Sequence, residues 1–107
     1  MARLSGRQTG EKMANIDILG ILQEECAEVI QEVSKVRRTG PEFKRYSKEK
    51  TNQEELENEI LDVLATLSLA QDIGAVRKFS KDEILKRAEE RAKRLAKWTP
   101  QALVGDK

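Results

Sequence analysis

Apolar residues recur with helical spacing in the first third of the chain, from Ile16 to about Arg38. They form one stripe along the predicted helix: Leu19, Leu22, Cys26, Val29, Ile30, Val33 and Val36. Asn15 is the predicted N-cap of this helix, because its side chain can accept from a free backbone N–H. Gly40 and Pro41 are expected to end it.

Two further helices are predicted. The second runs from Glu54 to about Ile73 after a cap at Thr51 or Asn52, and it is apolar around most of its circumference. Gly74 follows as the expected terminating glycine. The third follows a capping box at residues 80–83, extends from Lys81 to Lys97 or Trp98, and carries a basic outer face.

No segment shows a β-strand signal, so the pattern predicts an all-α fold. The first two helices would form an antiparallel hairpin, joined by the C-terminal helix. Three helices cannot cover the second helix on all sides, so homo-oligomerisation is expected to complete a four-helix-type bundle. We place a domain at 15–99, between a flexible N-terminal tail at 1–14 and a C-terminal tail at 100–107.

Four carboxylates stand in two short pairs within the first two helices. Glu25 and Glu28 form an E-x-x-E, and Glu59 and Asp62 form an E-x-x-D. Side chains three apart share one edge of a helix, so the hairpin would gather four negative charges beside apolar residues. One interpretation is a solvated helix face paired with lysines. The other is a magnesium site, because hard divalent cations prefer oxygen ligands.

The amino-acid composition excludes or disfavours several kinds of catalytic site, metal site and partner. The chain of 107 residues has no histidine, which excludes Ser-His-Asp and Cys-His catalysis and disfavours zinc. Its one cysteine, Cys26, excludes an intrachain disulfide, fits a reducing cytoplasm and is expected in the core. No apolar run is long enough for a membrane span. The net charge of +1 gives no reason to expect nucleic acid or a membrane as a partner.

A basic connection joins the first two helices. Residues 37–50 contain six basic and two acidic side chains. This segment is either a solubilising connector or a phosphate clamp with Lys44, Arg45 and Lys48 as contacts. The third helix has the same two interpretations, with Lys86 and Lys93 as candidate phosphate contacts.

The aromatic residues lie in loops or at helix ends. Phe43, Tyr46 and Trp98 either anchor a core or interface, or stack on the base of a bound nucleotide.

The segments LQEECAEVIQEV (22–33) and NEILDVLATL (58–67) resemble the MazG-like all-α nucleoside triphosphate pyrophosphohydrolases. That superfamily includes dimeric dUTPases, dCTPases and phosphoribosyl-ATP pyrophosphohydrolases. The resemblance covers about residues 16–98 and implies a homodimer or dimer of dimers with Mg²⁺, or Mn²⁺ in its place. It also implies that the metal ligands are Glu25, Glu28, Glu59 and Asp62.

By this resemblance the protein would convert a (deoxy)nucleoside triphosphate to the monophosphate and pyrophosphate, through water attack at the α-phosphorus. Glu24, beside the ligand set, is the candidate for orienting or deprotonating that water. The family's basic element on the last helix aligns with Lys86, Glu90 and Lys93. Two alternatives stay open: a phosphoribosyl-ATP pyrophosphohydrolase-like enzyme, and a non-catalytic helical module that binds nucleic acid or protein.

Overall fold

The computed structural model describes residues 8–45 and 49–105, with side chains from Asp17 onward. Its three α-helices are α1 (Gln8–Thr39), α2 (Asn52–Asp72) and α3 (Lys81–Trp98), followed by a short 3₁₀ helix, Pro100–Leu103. No strand occurs in the described ranges. The predicted all-α fold is therefore confirmed. The described chain divides into two compact units, of which one ends at Arg77 and the other begins at Lys78.

The predicted start of the first helix is wrong. α1 begins at Gln8, so Asn15 lies within the helix and is not its N-cap, and the part of the predicted tail from Gln8 onward is helical. Asn in a helix interior costs only about 0.7 kcal/mol relative to Ala, and this cost is too small to interrupt a helix that begins before it. Residues 1–7 of the predicted tail lie outside the described residues.

Both predicted terminating glycines follow their helices. Gly40 has a φ of +94° and its N–H donates to the carbonyl of Val36 at 2.8 Å. Gly74 has a φ of +83° and its N–H donates to Gln71 at 3.2 Å. Glycine populates positive φ without a Cβ penalty, so the helices end where the sequence places these residues.

Capping boxes start α2 and α3. Thr51 is the N-cap of α2: its Oγ1 accepts from the Glu54 backbone N–H at 3.1 Å, and its own N–H donates to the Glu54 carboxylate at 2.9 Å. Ser80 and Glu83 make the same reciprocal pair at α3. Of the two alternative caps predicted for α2, Thr51 and Asn52, the structure shows Thr51, and the predicted capping box that begins at Ser80 is confirmed.

Within the first unit, α1 packs against α2. Asn52, only 4% exposed, joins the start of α2 to the end of α1. Its side-chain amide donates to Thr39 Oγ1 at 2.7 Å and to the carbonyls of Gly40 at 3.1 Å and Lys35 at 3.4 Å. Buried side-chain amides need such partners, so Asn52 fixes the position at which the two helices meet.

The core expected from the apolar stripes is largely open in the single chain. Cys26 was expected in the core, but its side chain is exposed. α2, expected to be covered on several sides, exposes Leu61 to 62% and Leu64 to 55%. On α3, the apolar residues Ile84 and Leu85 are also exposed. A single copy buries too little surface at this length to cover every stripe.

None of the helices in the described part of the chain combines the length and hydrophobicity that a membrane span requires.

Candidate metal centre

Three of the four predicted metal ligands meet between α1 and α2. Glu25 from α1 and Glu59 and Asp62 from α2 each offer a carboxylate oxygen, and these oxygens lie within 4.8 Å of one another. Glu59 and Asp62 share one edge of α2 because they stand three residues apart. The contact of α1 with α2 then brings Glu25 to that edge. We call these three residues the acidic cluster.

The environment of the acidic cluster disfavours its negative charge. The pKa of Glu25 is raised above its ordinary value, first by desolvation and then by the charges of Asp62 and Glu28. The pKa of Glu59 is raised by desolvation, and next by the charge of Glu25 and then of Asp62. A hydrogen bond between the Glu25 and Asp62 carboxyl groups requires a proton on one of them, and this interaction also raises the pKa of Glu25. Binding of protons or cations to these carboxylates would therefore be favourable.

A hard divalent cation fits this donor set. Glu59 Oε2 is buried and has no hydrogen-bond partner among the described residues. Burying a carboxylate oxygen without a partner is costly, and a bound cation removes that cost. The cluster offers only carboxylate oxygens, the ligands that Mg²⁺ and Mn²⁺ accept and that zinc sites supplement with nitrogen or sulfur.

Glu28, the fourth predicted ligand, stands at the margin of the acidic cluster. Its side chain is exposed, and its oxygens are not in the group within 4.8 Å. Its charge still contributes to the raised pKa of both Glu25 and Glu59. Glu24, the predicted water-orienting residue, is exposed on α1, and its charge also reaches Glu25.

The connection between α1 and α2 contains the candidate phosphate and base contacts. Lys44 and Arg45 are exposed. The pKa of Glu54 is lowered, and the largest cause is a hydrogen bond from the Thr51 backbone N–H. The positive charge of Lys44 also lowers it. Phe43 is half exposed, and its backbone carbonyl accepts from the Asn52 N–H at 2.8 Å.

Two further candidates in this connection, Tyr46 and Lys48, lie outside the described residues. Their assignments as a stacking residue and a phosphate contact stay predictions.

The remaining predicted contacts belong to the second unit. Lys86 and Lys93 are exposed on α3. Trp98, at the end of α3, is 73% exposed, and the ammonium of Lys97 lies 5.0 Å from its ring centroid. Because these three side chains are accessible on the surface of their own unit, they stay candidates for the predicted contacts.

Sequence reasoning did not include Glu32 among the candidate site residues and expected it only to pair with a nearby lysine. Glu32 is 7% exposed; its Oε2 pairs with Lys35 Nζ at 3.0 Å, while its Oε1 is buried and has no partner in the part of the chain that the structure describes. Its charge also acts on Glu59. Its position four residues after Glu28 and seven after Glu25 was the available signal, because that spacing keeps all three on one face of α1.

No protein family, curated protein or solved structure matches this chain. The resemblance to the MazG-like enzymes therefore rests on the residues of segments 22–33 and 58–67. The geometry of the acidic cluster is an observation independent of that resemblance.

Proposed function

We propose that this protein is a Mg²⁺-dependent nucleoside triphosphate pyrophosphohydrolase of the MazG-like type, acting in the cytoplasm. It would convert a (deoxy)nucleoside triphosphate to the monophosphate and pyrophosphate. The observation that carries the proposal is the meeting of Glu25, Glu59 and Asp62, whose carboxylate oxygens lie within 4.8 Å of one another.

The roles of the residues follow from their chemistry. Glu25, Glu59 and Asp62 would hold the cation, with Glu28 as the adjoining carboxylate. Bound Mg²⁺ supplies charge neutralisation for a triphosphate and makes water a better nucleophile. Glu24 is the proposed acceptor of the proton from the attacking water. The exposed Lys44 and Arg45 would stabilise negative charge on the departing pyrophosphate.

The same proposal includes the assembly. We take α1 and α2 as an antiparallel hairpin, because two contacts run in opposite directions along the two helices. Asn52 at the start of α2 meets Thr39 at the end of α1, whereas Asp62, later in α2, meets Glu25, earlier in α1. A second copy would complete a four-helix-type bundle by covering the exposed apolar residues of α2. A groove of about 170 Å³ lies there, lined by Cys26, Val29, Ile60, Val63 and Leu64.

A nucleotide screen tests this function. The purified chain is incubated with each of the common ribo- and deoxyribonucleoside triphosphates in Mg²⁺, and the monophosphate and pyrophosphate are quantified together. The proposal expects equal amounts of both products from at least one nucleotide, and none after chelation. Release of orthophosphate alone, or no turnover of any nucleotide, would contradict it. Phosphoribosyl-ATP in the same screen tests the related alternative.

A second candidate function has one observation in its favour. Arg87, Arg91 and Arg94, together with Glu90, line a surface cavity of about 300 Å³ on α3. This arginine group suits a non-catalytic module that binds nucleic acid through phosphates. That function predicts salt-dependent binding of RNA or duplex DNA without Mg²⁺, and loss of binding in Arg91→Gln. Absence of binding at low salt would exclude it.

A further inference from the structure

Three arginines and a tryptophan follow one another along a single face of α3. Arg87, Arg91 and Arg94 line the same surface cavity of about 300 Å³. They stand at intervals of four and three residues, and Trp98 follows four residues after Arg94. Because a helix turns by about 100° per residue, these intervals keep all four side chains on one face. We call these four residues the arginine–tryptophan row.

The cavity has an excess of positive charge, although the net charge of the whole chain is only +1. Its lining includes one carboxylate, that of Glu90, whose Oε1 lies 3.9 Å from Arg87 Nε. An ion pair that is this long and this exposed contributes little, so it compensates little of the charge of three guanidinium groups. Guanidinium groups bind phosphate through parallel N–H donors. The chemistry of the cavity therefore suits phosphate groups.

The row ends in an accessible aromatic ring. Trp98 is 73% exposed, and the ammonium of Lys97 lies 5.0 Å from its ring centroid. An indole ring that is open to solvent offers a surface on which a nucleobase can stack. From Arg87 to Trp98 the row extends over roughly 16 Å of helix. Phosphate contacts and a stacking surface thus follow one another along one face of α3.

We infer that the arginine–tryptophan row binds single-stranded nucleic acid, with the three arginines on phosphates and Trp98 stacked on an unpaired base. This inference rests on the second candidate function and deepens it, since it assigns a strand type and a stacking residue. In a duplex the faces of the bases are covered by their neighbours. A single strand can turn a base out of its stack and so use both parts of the row.

Two signals from one titration test the inference. An unstructured oligonucleotide of about ten nucleotides, and the same strand paired with its complement, are added to the full chain at low salt. Fluorescence anisotropy of the labelled oligonucleotide measures affinity. The intrinsic fluorescence reports on stacking, because Trp98 is the one tryptophan of the sequence. The single strand should bind more tightly than the duplex and should quench Trp98.

Substitutions of Trp98 test the stacking contact. Trp98→Ala should weaken binding of the single strand at least about fivefold, as expected for the loss of one base–aromatic stack. Trp98→Phe should retain most of the affinity, because it keeps an aromatic ring. Equal affinities of Trp98→Ala and wild type would overturn the inference.

Arg91→Gln and Lys93→Gln form a matched pair on the same helix. Each removes one positive charge from an exposed position. Lys93 stands two residues after Arg91 and therefore about 200° round the helix, away from the row. Arg91→Gln should weaken binding and reduce the slope of log affinity against log salt by about 0.7, the value for one phosphate contact on a single strand. Lys93→Gln should change neither. Equal effects of both substitutions would overturn the inference, since binding would then follow total charge.

The outcomes separate the inference from both functions. Binding of the duplex as tightly as the single strand, without quenching of Trp98, would overturn the inference and leave the second candidate function standing. Absence of binding to either oligonucleotide at low salt would overturn both. Neither result bears on the pyrophosphohydrolase, whose assay is the release of pyrophosphate.

Discussion

Glu25 on α1 and Glu59 on α2 place carboxylate oxygens within 4.8 Å of each other, although they belong to different helices. Two carboxylates at this separation repel each other when both are charged. Desolvation adds to this cost and raises the pKa of both groups. The first unit thus carries an electrostatic penalty at the place where its two helices meet.

Replacing Glu59 with glutamine is expected to raise the melting temperature of the metal-free protein by a few degrees at neutral pH. The folded-state pKa of Glu59 is raised above 4.5, so the folded chain binds more protons than the unfolded chain between these two values. The free energy of unfolding from this group therefore falls as the pH rises through the raised pKa. Below pH 4.5 the penalty is absent.

The difference in melting temperature between Glu59→Gln and wild type should consequently shrink as the pH falls towards 4.5. Thermal unfolding followed by circular dichroism in EDTA measures it. Glu57→Gln, at an exposed position, serves as the control and should show no such trend. A Glu59→Gln variant that is less stable than wild type at neutral pH without metal would contradict the electrostatic account.

Adding Mg²⁺ should reverse this order of stability. A ligand that binds only the folded state stabilises it by about 2.7 kcal/mol when its concentration is a hundred times the dissociation constant. The wild type should therefore melt at a higher temperature in Mg²⁺ than in EDTA. Glu59→Gln should gain much less, because Glu59 supplies one of the three oxygens of the acidic cluster. Equal gains in both proteins would place the cation elsewhere.

Asn52→Ala should destabilise the first unit by about 1–3 kcal/mol, because it removes a buried amide that donates to three acceptors at the end of α1. The affected acceptors are Thr39 Oγ1 and the carbonyls of Gly40 and Lys35. Urea unfolding provides the measurement. Asn58→Ala, on the exposed surface of the same helix, is the matched control and should change stability little. Equal effects of both substitutions would show that Asn52 does not hold the helices together.

Leu64→Gln should weaken the proposed self-association about tenfold or more, because burying a leucine side chain contributes roughly 1.5–3 kcal/mol. Leu64 is 55% exposed and lines the apolar groove with Val63 and Ile60. Sedimentation equilibrium should find the wild type as a dimer or larger oligomer at micromolar concentration. Leu103→Gln, at a similarly exposed leucine of the second unit, is the control. A monomeric wild type would exclude the proposed assembly.

The ends of α2 and the start of α3 were predicted correctly from the sequence, because N-caps and terminating glycines affect only backbone groups within a few residues. Thr51, Ser80 and Gly74 end or begin helices where the sequence places them. The start of α1 was missed, since Asn15 has the chemistry of a cap but also tolerates a helix interior.

The acidic cluster was predictable in part, because a spacing of three residues places both carboxylates of a pair on the same side of a helix. The spacing does not fix which oxygens meet across two helices. Glu28 consequently lies at the margin, and the buried oxygen of Glu32 could not be foreseen without its surroundings. Exposure of Cys26 was missed because the spacing of apolar residues along a helix does not show whether another element covers them.

The proposed pyrophosphohydrolase activity depends on a cation held by the acidic cluster. Its most direct test is Mg²⁺-dependent pyrophosphate release by the wild type, Glu57→Gln, and the double variant Glu59→Gln with Asp62→Asn, all on the best nucleotide of the screen. The account predicts similar rates for the first two and a loss of at least about a hundredfold in the double variant, as for removal of groups that position a catalytic cation. Undiminished pyrophosphate release by a folded double variant would contradict it.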